Sequence, residues 1–344
     1  MNTFIQKMPK AELHLHLEGS IRPDTAAFLY NQLHEPIDSF QIKSMYRFDN
    51  LKSFIDGMQK VSGNIRTPQH LYRITRELLE TCALQNIIYL EFDSALQKYV
   101  NLGLKLEEVV EAITQGMAEA ESRFGIQSRL LVNLQRSHGA ESAIELVKQV
   151  ISLNAPAIVG IGLSGYEKSG DIAPFVPAFE LAKNAGLHLT AHAGEVTGPE
   201  SIWNAIEFLH VERVDHGTRA IDDPNLMDVL RQRQIPLTQC LSSNIHLHVC
   251  RNFNEHPFPV FYKKGMIVTL NTDDPEVFQV SLTGEYQKAA HYYHLKNQDM
   301  VNIVQNTIKA SFLTPTEKNV MQHRVEQECR KLQTLVSSGQ QVLI

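Results

Sequence analysis

The run AELHLHLEGS, residues 11–20, sets two histidines two positions apart and follows them with a glutamate and a glycine. Side chains at i and i+2 of an extended chain share one face, so His14 and His16 can reach a common ion. Leu13, Leu15 and Leu17 then point the other way. An isolated H-x-H is more often a solvated or hydrogen-bonded pair than a metal site, so the rest of the chain has to decide. It supplies TAHAGE with His192 and Glu195, DHGT with Asp215 and His216, and NTDDP with Asp273 and Asp274. His192 and Asp273 complete an N3O donor set with His14 and His16. Such a set with one position open suits catalytic zinc, which brings the pKa of a bound water to about 7. Taken singly, His192 reads as a core histidine and Asp-Asp-Pro as a turn. What outweighs those readings is that all four fall at one end of one expected barrel.

The elements that must position these residues follow a strand–helix rhythm. Apolar or β-branched runs lie at 12–17, 87–93, 128–134, 157–163, 188–194, 212–217, 235–241 and 266–273. Near-continuous apolar runs are what parallel strands covered by helices require. The segments between them are helical in pattern. TPQHLYRITRELLETCALQN opens on a Thr cap followed by Pro, and KLEEVVEAITQGMAEAESRFG ends on a Gly suited to a left-handed cap. Eight such units predict an α/β (β/α)8 TIM barrel, with an open doubly wound sheet as the alternative. Functional residues of such a barrel gather at the C-terminal ends of its strands, where the histidines and acids stand. Residues 20–70 and 284–335 exceed the minimal unit and predict additional helices after strand 1 and at the C-terminus. No linker or low-complexity tract divides the chain, so residues 1–344 are expected to form a single domain.

Composition narrows the partners. The chain has 344 residues, 43% hydrophobic and 20% charged, with a formal net charge of −6. No basic stripe points to nucleic acid, and no apolar stretch is long enough to cross a bilayer. The four cysteines, Cys82, Cys240, Cys250 and Cys329, form no C-x-x-C pair and no disulfide framework. The N-terminal residues lack a signal-peptide core. A cytoplasmic protein with a small-molecule substrate is expected, with no nucleic-acid or membrane partner; no protein partner can be inferred. The end of strand 4 reads Gly-Leu-Ser-Gly-Tyr, with no lysine placed to bridge two metals, so one ion per chain is expected. The H-x-E…P-C-x-x-C pattern of the small zinc deaminases is missing.

MPKAELHLHLEGS, TAHAGE, DHGTR, SSN and NTDDP together resemble the adenosine/adenine deaminase family of the amidohydrolase superfamily, from about residue 8 to beyond residue 290. The resemblance implies that His14, His16, His192 and Asp273 hold zinc, and that a zinc-activated water attacks C6 of an aminopurine. It implies that His216 orients that water or serves as its base, and that Glu195 protonates ring N1. Asp274 would hydrogen-bond N7, the backbone N–H of Gly165 would meet N3, and His16 and Glu18 would border the substrate. Residues 48–60 resemble the family's lid, with Leu51, Phe54, Ile55 and Met58 on one helical face; plain core packing explains them equally well.

Two positions depart from the adenosine deaminase pattern. Glu18 stands where that pattern has the Asp that meets the ribose, and Gly165-Tyr166-Glu167 replaces Gly-Asp-Glu. Glu at the first position resembles deaminases of adenine or of 5′-modified adenosines such as aminodeoxyfutalosine, whereas the Gly165 match favours a nucleoside. The leading expectation is deamination of adenosine to inosine. Adenine or a 5′-modified adenosine is the first alternative, and metal-dependent ester or amide hydrolysis or turnover-free purine binding the more distant ones. Iron and manganese accept the same ligands as zinc.

Overall fold

The structure is a computed structural model that describes residues 2–46, 48 and 51–337. Eight strands form one sheet: β1 (Lys10–Glu12), β2 (Ile87–Ser94), β3 (Gln127–Gln135), β4 (Ile158–Ser164), β5 (His188–Ala193), β6 (Arg213–His216), β7 (Leu237–Gln239) and β8 (Val268–Leu270). Every ladder is parallel and the spatial order follows the chain from β1 to β8. A doubly wound sheet would reverse its order at a switch point, so the open alternative is excluded. The barrel closes at its mouth. Leu15 bridges Asp273, His16 N–H donates to Asp273 O at 2.9 Å, and Asp273 N–H donates to His14 O at 3.2 Å. Lower down, Glu12 Oε1 accepts from both the amide and the hydroxyl of Thr272, each at 2.6 Å.

One boundary differs from expectation in an informative way. The histidines were expected within strand 1, yet β1 ends at Glu12. The Asn271 side chain takes the place of a ladder partner, accepting from Leu13 N–H at 3.0 Å and donating to Gln239 O at 3.2 Å. The chain from Leu13 to His16 stays extended beyond that plug, held by the bridges Leu15–Asp273 and His16–Asp93. His14 and His16 thus keep a common face while lying above the regular sheet.

Helices enclose the barrel. Pro23–Tyr30, Ser39–Met45, Leu51–Ser62 and Pro68–Leu84 fill the long connection after β1, and Leu282–Tyr292, Asn297–Ala310 and Pro315–Ser337 follow β8. Thr67 caps Pro68–Leu84 by accepting from His70 N–H, and Gly125 ends Leu106–Phe124 in the left-handed region at φ +69°. At the opposite end of β6 from His216, the buried Arg213 guanidinium pairs with Glu91 at 2.6 Å and lies 4.2 Å from the Phe312 ring centroid. A buried pair of this kind is costly to break from one side and holds that end of the barrel shut. Phe54 of Leu51–Ser62 stacks on Phe278 at 5.3 Å, and Phe48 meets Phe278 edge-on at 5.7 Å. The expected lid helix therefore packs beside the loop that carries Asp273 and Asp274. The side chains of Leu51 and Ile55 lie outside the described residues. Among the described residues no helix is long and apolar enough to cross a membrane.

Candidate active site

Four side chains converge at the C-terminal mouth of the barrel. One ligand atom each from His14, His16, His192 and Asp273 lies within 4.8 Å of the other three. Asp273 Oδ1 is 3.4 Å from His14 Nε2 and 3.1 Å from His16 Nε2, and the Nε2 atoms of His16 and His192 are 3.3 Å apart. A tetrahedral ion with bonds of about 2.0–2.1 Å puts neighbouring donors about 3.3–3.4 Å apart, so these separations fit one ion at the centre.

The surrounding hydrogen bonds set which ring nitrogens face inward. Thr238 donates its hydroxyl to Asp215 Oδ1 at 3.0 Å, so at 2.9 Å from His14 Nδ1 it accepts that ring N–H. His14 Nε2 then presents a lone pair, is buried, and has no hydrogen-bond partner. His16 is turned the same way, with Nδ1 2.5 Å from Asp93 Oδ1. Burial, followed by the neighbouring His14, holds His192 well below the ordinary histidine range, which is the neutral form a metal needs. Inward lone pairs crowded around a carboxylate repel one another unless a cation lies between them. The donor set therefore fits a divalent ion. A second group, His216, Cys240 and Asp273, shares Asp273 with the first and is no separate site.

Backbone geometry helps aim these groups. His216 and Asp273 adopt φ of +63° and +66°, a region costly for residues with a Cβ and concentrated at functional sites. Ser243 Oγ donates to Asp273 Oδ2 at 2.6 Å, leaving Oδ1 toward the histidines. Asn244 Nδ2 lies 3.3 Å from His216 Nδ1. The SSN motif thus lies directly behind two of the expected site residues.

Glu195 and His216 have environments that push their ionisation in opposite directions. Glu195 Oε1 is 3.6 Å from His216 Nε2. Burial first, then Asp273 and Glu167, push the Glu195 carboxyl up to about 8. Burial pulls His216 below the ordinary histidine range. The carboxyl is thus pushed up and the imidazole beside it down, the pattern that separates acid and base roles. The Glu195 loop is pinned from below: Glu167 Oε2 accepts from the amides of Glu195, Val196 and Thr197 at 3.0, 2.6 and 3.2 Å.

Burial, then the adjacent Asp273, raises Asp274 well above the carboxylate range, and its buried Oδ1 has no partner. Gly19 explains its fit, since a Cβ there would lie 1.8 Å from Asp274 Oδ1. Gly19→Ala is expected to displace Asp274 and lower kcat/KM by about tenfold or more while the chain still folds. Steady-state rates with a thermal melt check this, and unchanged kinetics would refute it. Gly165 directly follows β4 at φ +91°, and the Arg136 guanidinium spans its carbonyl at 3.2 Å and that of His192 at 2.8 Å. Glu18 is drawn away from the ligands: its Oε1 accepts from Ser94 Oγ at 2.8 Å, Ala95 N–H at 3.1 Å and Tyr99 OH at 2.6 Å.

The structure thus brings His14, His16, His192, Asp273, Glu195 and His216 together, with Asp274 against Gly19 beside them. The sequence reading assigned no role to Asp93, Thr238, Asp215, Glu167 or Asn244, which orient that set. For Asp215 and Asn244 a signal was present, because both fall inside motifs that carried the family resemblance.

A family model described as adenosine deaminase matches residues 9–328. The chain is 35% identical to an adenine deaminase of Vibrio parahaemolyticus, over 95% of this chain and 98% of the relative. It is 31% identical to an adenosine deaminase of Clostridium kluyveri, over 93% and 94%. Its fold is similar to the crystal structure of an adenine deaminase from Arthrobacter aurescens, with a TM-score of 0.89, 30% identity and coverage of 93% and 98%. It is also similar to a Burkholderia ambifaria amidohydrolase with bound Zn, with a TM-score of 0.90, 26% identity and coverage of 98% and 94%.

Proposed function

The chain belongs to the adenosine deaminase family and is a hydrolytic aminopurine deaminase, and from that premise we propose that its substrate is the free base adenine, converted with water to hypoxanthine and ammonia. The observation that carries this reading is Glu18. A nucleoside site needs an acceptor turned toward the ribose hydroxyl, whereas three donors, Ser94, Ala95 and Tyr99, hold Glu18 Oε1 at the end of β2 and leave only Oε2 for other contacts. Those contacts make it a buried strut between the first loop and the end of β2. The relatives named adenine deaminase from Vibrio parahaemolyticus and Arthrobacter aurescens support the same choice. The sequence alone had put adenosine first, on the match at Gly165; the engagement of Glu18 moves the preference to the base.

His14, His16, His192 and Asp273 would hold one divalent ion, zinc by ligand type and by the zinc-containing Burkholderia neighbour. When bound, that ion acts as a Lewis acid that makes water nucleophilic near neutral pH. Glu195 carries a proton at its carboxyl and delivers it to ring N1, so that water adding at C6 leaves no unpaired negative charge on the ring. His216 Nε2, neutral and beside Glu195, takes the proton of the attacking water. Asp274, its carboxyl raised by burial and by the adjacent Asp273, donates to N7. His216 returns its proton to the amino group, which leaves as ammonia, while the proton remaining on the added oxygen passes to the Glu195 carboxylate and the 6-oxo group forms. The enclosed mouth strengthens each of these interactions.

The test is ammonia release by the zinc-loaded chain with adenine and adenosine. A kcat/KM at least about a hundredfold higher for adenine is expected, because a ribose hydroxyl that finds no acceptor turned toward it is left buried and unpaired. A preference for adenosine would overturn the assignment of the free base while leaving the chemistry intact.

A further inference from the structure

We propose that Asp93, at the end of β2, is the positioning residue for His16: its carboxylate accepts the ring Nδ1–H and holds Nε2 toward Asp273 and His192. The inference rests on the metal reading above and extends it to a residue outside the four donors.

Three observations converge on Asp93. First, the contact is direct, with Asp93 Oδ1 2.5 Å from His16 Nδ1. The two backbones are locked at the same place, where His16 and Asp93 form a parallel bridge and Asp93 N–H donates to Leu15 O at 3.0 Å. The side chains therefore meet from fixed origins. Second, His16 needs the anchor more than the other two histidines do. The side chain of His14 is 1% exposed and that of His192 9%, against 14% for His16. His14 is already bonded to Thr238, and His192, whose Nδ1 makes no hydrogen bond, is the more buried and has Asp215 Oδ2 3.8 Å from that nitrogen. Third, strand alternation puts Asp93 on the same face of β2 as Glu91, which meets Arg213 lower in the barrel. One face of β2 thus carries a carboxylate in each of two layers, one tying down the barrel's closed end and one tying down a ligand at its mouth.

A carboxylate behind a ligating imidazole fixes the tautomer and ring angle and makes the inward nitrogen a stronger donor. Loss of such a partner typically costs about 10–100-fold in metal affinity. Without Asp93, the His16 ring turns about its side-chain bonds and Nε2 leaves the position it holds 3.1 Å from Asp273 Oδ1.

The experiment titrates Zn2+ against a chromophoric chelator in the full-length wild type, Asp93→Ala and Asp93→Asn, and records the visible spectrum of each chain loaded with Co2+. Asp93→Ala is expected to weaken Zn2+ by about 10–100-fold and to alter the Co2+ bands. Asp93→Asn, whose amide oxygen still accepts Nδ1–H, should recover part of the loss. A dissociation constant for Asp93→Ala within about threefold of wild type, or Asp93→Asn no better than Asp93→Ala, overturns the assignment. Should the alanine chain fail to fold, the isosteric Asp93→Asn decides alone: weakened Zn2+ binding supports the proposal and unchanged binding overturns it. A wild type that takes up no metal would sink the metal reading and this proposal together, whereas a wild type holding one ion confines any failure to Asp93.

Discussion

Glu195→Gln is expected to lower kcat/KM for adenine by about a thousandfold while leaving metal content and melting temperature near those of the wild type. The size follows from the role: a positioned acid typically contributes about 10²–10⁴-fold, and an amide of the same shape has no proton to give. Glu195 is outside the four ligand donors and faces His216 at 3.6 Å, so its replacement removes a proton source without removing a ligand. The pH profile makes the test specific. Glu195 acts in its protonated form, so activity is present below its folded pKa and is lost as pH rises through it. With that carboxyl pushed up to about 8 by burial, Asp273 and Glu167, the alkaline limb of kcat/KM is expected no higher than about 8. A cation on the four ligands favours the carboxylate and moves the limb down from there. His216 acts in its neutral form, and burial lowers it, so the acid limb lies below the ordinary histidine value of 6.5. In Glu195→Gln the alkaline limb should disappear from what activity remains. A variant with more than about a tenth of wild-type activity, or with the limb intact, would remove Glu195 from the acid role.

The barrel and its chemical end were legible because each rests on local pattern. Parallel strands buried on both faces must read as apolar runs, and eight of them in strand–helix alternation leave little choice of architecture. His14 and His16 share a face in any extended chain, so their convergence survived an error in the strand boundary. That boundary was not legible, because an Asn271 side chain some 258 residues away replaces the ladder partner of Leu13. The orienting residues were hidden for the same reason. Thr238 reaches His14 across 224 positions and Asp93 reaches His16 across 77, and neither residue type announces such a contact. The substrate preference was only half legible: Glu18 was visibly unusual, but its engagement by Ser94, Ala95 and Tyr99 belongs to three-dimensional packing.

Removing a donor should act more drastically than removing the acid. In His14→Ala, activity is expected to fall below detection together with loss of tight metal binding. His14 is the most enclosed of the three histidines, with its side chain 1% exposed and its Nε2 turned inward by the Thr238–Asp215 chain. An alanine leaves His16, His192 and Asp273 with one corner of the set open. No neighbouring imidazole is placed to fill it, because His216 is tied to Asn244 through Nδ1 and faces Glu195 through Nε2. The loss of affinity should therefore exceed the roughly 10–100-fold of an outer-shell partner. Stability supplies a readout independent of turnover. A ligand that binds only the folded chain stabilises it by about 4 kcal/mol at a thousandfold excess over its dissociation constant. Added Zn2+ should thus raise the melting temperature of the metal-stripped wild type and leave that of His14→Ala nearly unmoved. If His14→Ala instead retained one ion per chain and full turnover, the N3O set would be wrong at its most buried member.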